Sequence, residues 1–113
     1  MELTIERNYE FTPEWHDNKK DANPIIFELR MLSTGERDKF MGYSVSETGN
    51  VTVLPDRQAM FRTAVTGIRN LKVNGEGLTK AVDILSRPGL DGLFLEVFGE
   101  IASRNGRQDT KNL

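Results

Sequence analysis

The chain has 113 residues, no cysteine, a single histidine and a formal net charge of −2. That length holds one domain, and the absent thiols exclude disulfides, thiolate nucleophiles and Cys-based zinc sites. Leu, Ile, Val and Phe supply 30 of the 113 residues, which is enough for a packed core.

In chain order, Leu3-Thr4-Ile5 alternates with Glu2, Glu6 and Arg7 and predicts a first, half-buried strand. Tyr9, Phe11, Pro13 and Trp15 follow, then a polar loop from His16 to Asn23 that Pro24 ends. Ile25 to Met31 predicts the best strand, with Phe27, Leu29 and Met31 sharing one face. Ser33-Thr34-Gly35-Glu36 fits a capping box opening a short helix to about Met41. Tyr43 to Leu54 predicts a hairpin in which Val45 faces Val51 and Val53 across a Glu47-Thr48-Gly49-Asn50 turn.

Pro55 and Asp56 open a second helix whose stripe is Met60, Phe61, Ala64, Val65 and Ile68, with Gly67 as its stop. Ile68 to Val73 predicts another strand, and Asn74-Gly75 is a strong turn signal. A short helix over Thr79–Ser86 is broken by Arg87-Pro88-Gly89. The last helix, about Leu90 to Ser103, carries Leu90, Leu93, Phe94, Val97, Phe98 and Ile101 at helical spacing, and Asn105-Gly106 is placed to cap it. The expected architecture is α+β: a small, mainly antiparallel or mixed sheet of 3–5 strands and three to four helices, the C-terminal helix packed on the sheet. Residues 1–104 form the domain, and 105–113 are read as a flexible tail of mixed charge.

The charged start lacks the apolar run of a signal peptide. No stretch approaches the ~20 apolar residues of a membrane span. A cytoplasmic protein without a membrane partner is expected. Cations are interspersed with acids rather than gathered, so no nucleic-acid partner is expected either.

Sites of chemistry are hard to find. His16 lies among Glu14, Asp17 and Asp21 on a loop, whereas a metal centre wants three or four ligands on rigid elements. Glu96 and Glu100 share a helical face, but it is the polar arc where water solvates both. Gly75-Glu76-Gly77 lacks the lysine and hydroxyl of a phosphate loop. The reading assigns no catalytic residue, no metal and no cofactor.

Protein binding has better candidates. Phe11 and Trp15 bring aromatic area outside the clear strands, and serve either as an interface or as a lid over the protein's own core. On the last helix Gly92, Leu95, Gly99 and Ala102 fall together beside the core stripe. Each glycine costs a helix interior about 1 kcal/mol relative to alanine. Close approach of a backbone would compensate, from within the chain or from a partner.

Pro13 and Trp15, Pro24 to Leu29, Ser33 with Glu36-Arg37, Phe61, Val65 to Leu71, Val73-Asn74-Gly75, Leu93 to Val97 and Lys111-Asn112 together resemble the tail-assembly chaperones of tailed bacteriophages and prophages. The hairpin around Glu47–Asn50 departs from that pattern and reads as an insertion. The resemblance implies a non-enzymatic protein of the bacterial cytoplasm that escorts the tape-measure protein while tail-tube subunits polymerise, and that leaves the finished particle. It supplies no catalytic residues, and it leaves self-association open. It also implies a longer, frameshifted product, for which Thr110-Lys111-Asn112 can encode a slippery run. The competing expectation is a structural tail or head–tail joining protein retained in the virion.

Overall fold

The computed structural model describes residues 1–107, so the expected tail and the frameshift position at Lys111 lie outside the described residues. Three strands form the main sheet in the order β1 (Asn8–Phe11), β2 (Ile26–Arg30), β5 (Val65–Arg69), all antiparallel. A separate hairpin pairs β3 (Met41–Val45) with β4 (Val51–Pro55), and a minimal ribbon pairs β6 (Lys72–Val73) with β7 (Glu76–Gly77). Four α-helices are interleaved: α1 (Thr34–Lys39), α2 (Arg57–Ala64), α3 (Ala81–Leu85) and α4 (Asp91–Arg107). The α+β expectation, with a C-terminal helix completing the core, is what the structure shows.

Local chemistry explains most element boundaries. The Ser33 hydroxyl accepts from the Glu36 amide at 3.1 Å, and Glu36 Oε1 accepts from the Ser33 amide at 3.0 Å, the reciprocal box that starts α1. Asp56 caps α2 by accepting from the Ala59 amide. Asn74 and Gly75 both have positive φ, 53° and 83°, which gives the β6–β7 turn the twist a tight hairpin needs.

Three boundaries differ from the sequence expectation. No strand forms at Leu3–Ile5, where both side chains are exposed; pairing with β2 begins at Asn8 instead. Tyr9 and Phe11 can lay aromatic area on the core, and that outweighs two aliphatics at the chain's start.

The second difference lies at Gly67, which does not stop a helix: α2 ends at Ala64 and Val65 already belongs to β5. Val65 and Ile68 are buried, as their helical spacing suggested, but as strand residues opposite Leu29 and Phe27. A register shift between Glu28 and Leu29 lets two residues three apart share one face.

The third concerns the end of the chain's main helix. α4 runs through Asn105-Gly106 to Arg107 rather than capping there. The Arg104 guanidinium lies 4.1 Å from the Tyr9 ring centroid, which ties this last stretch to β1.

The core is one cluster. Phe27 and Leu29 from β2, Phe61 and Ala64 from α2, and Leu93, Val97 and Ile101 from α4 are all fully inaccessible. Phe61 sits between Phe27 and Phe94, with ring centroids at 6.4 and 5.0 Å. Hence α2 is held between the sheet and α4.

Two ionisable groups make this packing testable. Hydrogen bonds from Arg30, then from the Ser33 amide, hold the Glu36 carboxyl down to about 2 against an ordinary 4.5. A depressed carboxyl contributes stability above its ordinary pKa and loses it as pH falls through the folded value. Glu36→Gln should therefore lower the thermal midpoint near neutral pH, with the difference from wild type closing as pH falls toward 2. A difference independent of pH contradicts this.

Tyr9 shifts the other way. Burial first, then the Glu100 charge, push its phenol up to about 12, with Arg104 opposing. Its hydroxyl is buried without a hydrogen-bond partner among the described residues, because Arg104 lies over the ring face. Such a raised group contributes stability below pH 10 that is lost as pH rises through 12. Tyr9→Phe should remove an absorbance transition near pH 12 without lowering stability at neutral pH. A loss above about 1 kcal/mol would show that the hydroxyl is bonded.

Candidate functional site

The segment between β1 and β2 forms a strap across α4. Pro13 is buried, and Trp15 begins a 3-10 turn that runs to Lys20. Asn18, 6% exposed, fastens the strap: its amide nitrogen donates to the Pro13 and Ile25 carbonyls, and its amide oxygen accepts from the Ile25 amide. His16 and Asp17 take positive φ values of 52° and 57°, a strained pair that turns the chain over.

Glu96 fixes the strap to α4. Its carboxylate accepts from the Glu14 amide at 2.6 Å and from the Trp15 amide at 3.0 Å. The expectation that Glu96 is simply solvated is corrected: two backbone donors that would otherwise need water are satisfied by this one side chain. A residue on the polar arc of α4 gave no sequence signal for a partner 82 positions away.

Trp15 lands on Gly92. A Cβ there would meet the indole Nε1 at 3.2 Å and Cδ1 at 3.4 Å. Phe11 and Trp15 both pack against the core cluster, so these aromatics, and Gly92 with them, serve the chain's own interior as a lid. His16 is exposed and stacks on Trp15, centroids 4.0 Å apart. No group of three or more potential metal ligands occurs among the described residues.

The rest of that helical side is open. Gly99 has nothing within 4 Å of a built Cβ, Leu95 is 51% exposed, and Ala102 is half-buried. Leu95 borders a groove of about 320 Å³ where the first turns of α2 and α4 meet the end of α3. Ile84, Leu85, Leu90 and Phe94 give the groove an apolar lining, and Arg57, Arg87 and Asp91 stand among them. Arg87 is paired with Glu76, whereas Arg57 makes no ion pair among the described residues. Arg57 also sits in the first turn of α2, where the helix dipole disfavours a cation. A carboxylate brought into the groove would offset that.

No helix of the described residues is long and apolar enough to cross a membrane. No family model, curated protein or solved structure matches the chain, so the argument about function rests on these surfaces.

The two glycines of α4 should behave oppositely. Gly92→Leu displaces Trp15, and the red shift of its fluorescence, the chain's only tryptophan signal, reports it together with a lower thermal midpoint. Gly99→Ala should raise stability by about 0.5–1 kcal/mol, because an open helix interior gains propensity and meets no clash. A destabilised Gly99→Ala would mean that this side of α4 is packed.

Proposed function

We propose that this chain is a non-enzymatic tail-assembly chaperone. In this reading it holds apolar segments of the tape-measure protein, with or without tail-tube subunits, in the groove between α2, α3 and α4. The observation that carries the reading is the groove itself: apolar walls in a rigid corner of the core, left open to water beside a half-exposed leucine. A corner of this size admits a few side chains of a helix or extended segment. Arg57 selects for an acidic residue on that segment, so the bound chain combines aliphatic anchors with a carboxylate. The whole-chain resemblance to tail-assembly chaperones supplies the candidate partner.

Co-expression with the tail proteins tests the proposal. Leu95→Asp and Arg57→Glu change exposed positions, so each should leave the thermal midpoint within a few degrees of wild type. Capture of the tape-measure protein should fall about tenfold or more, the equivalent of losing about 1.4 kcal/mol of contact. Wild-type capture by both variants would remove the groove from the account. Mass spectrometry of purified particles addresses the competing role: a chaperone is absent, and a structural component is present at stoichiometric copy number.

A further inference from the structure

The β3–β4 hairpin is the part of the chain that its own core does not cover. Every residue of β4 is exposed. The register pairs Met41 with Pro55, Tyr43 with Val53 and Val45 with Val51, which puts these six positions on one face of the ribbon. Gly42, Ser44, Thr52 and Leu54 occupy the other. On the first face Val45 is 67%, Val51 62% and Val53 45% exposed. A two-stranded ribbon standing alone in water is marginal, and becomes stable when its apolar face is covered. Cross-strand valine pairs add only about 0.2–1 kcal/mol each.

We infer that this valine face is a self-association surface, covered by the same face of a second copy of the chain. Three properties select that occupant. The face is flat and β-branched, a shape that packs against another sheet face at about 10 Å; a helix would present ridges that seek grooves. Between Met41 and Pro55 the only charged residue is Glu47, in the turn. A partner recognised through charge therefore finds nothing to hold, and a like-charged copy meets no repulsion. An isologous pair across a two-fold axis asks for one self-complementary patch, which a uniform valine face supplies. The area is modest: a few half-exposed aliphatic side chains per copy fall at the small end of specific interfaces, below about 1,200 Å² in total. Association is therefore concentration-dependent. The inference is independent of the groove and of what the groove binds.

Sedimentation equilibrium of the purified chain is the test. The weight-average mass should rise from 12.8 kDa toward twice that value with concentration. Val51→Lys with Val53→Lys should hold it at the monomer value, with an unchanged near-ultraviolet signal from Trp15. Should the lysine pair disturb folding, Val51→Thr with Val53→Thr keeps the shape and strand propensity and should weaken association at least tenfold. The absence of native cysteine allows a second readout. Oxidised Val53→Cys should form a covalent dimer, whereas Val82→Cys, on an equally exposed site of α3, should not. A wild-type monomer at several hundred micromolar, or a dimer that survives the substitutions, would overturn the inference. So would a hairpin that becomes protected only when a different protein is added.

Discussion

Burial of one helical stripe holds this molecule together. Leu93, Val97 and Ile101 of α4 are fully inaccessible, and Leu90 nearly so. A seventeen-residue helix loses roughly 1–2 kcal/mol of backbone entropy per residue on ordering, so α4 persists because α2 and the sheet remove that stripe from water. The dependence is mutual. Three short strands have little core of their own, and Phe27 and Leu29 are sealed only because α2 and α4 close over them.

The remaining architecture hangs on α4. Near its start, Gly92 admits Trp15 and Glu96 collects two amides of the strap, so the chain between β1 and β2 is pinned to the helix. Towards its end, Arg104 covers Tyr9 and secures β1. Where α4 begins, α2 and α3 leave a concave corner lined by Ile84, Leu90 and Phe94. The hairpin projects from the opposite logic: its apolar residues face water because nothing in the chain reaches them. Exposed apolar surface of this kind marks interaction sites. The two surfaces differ in chemistry, one concave with a cation, the other flat and uncharged. If both proposals hold, a dimer displays two grooves, and a long partner engaging both gains avidity without new contacts.

Much of the fold was legible in the sequence because local signals and burial agreed. The capping box at Ser33–Glu36, the hairpin, the Asn74-Gly75 turn and the apolar period of α4 each specify their element from nearby residues. Failures came where distant pairing decided the outcome. Val65 and Ile68 have helical spacing, but a bulge opposite them makes that spacing compatible with a strand. Leu3 and Ile5 alternate well and find no neighbour. The candidate site was partly legible. Leu95 was identified by its place beside the core stripe, whereas Arg57, Ile84 and Leu85 come from separate helices whose meeting no local pattern announces. Glu96 was misjudged for the same reason, since its partners lie at the other end of the chain.

The central claim is that α4 serves both as the interior support and as one wall of the docking corner. Hydrogen–deuterium exchange of the chain, alone and bound to the tape-measure protein, tests this most directly. Amides of Val97 to Ile101 should be the slowest in both states, and those of Ile84 to Leu95 should gain protection only on binding. Fast exchange along Val97 to Ile101, or protection appearing elsewhere while Ile84 to Leu95 stays unchanged, would contradict the account.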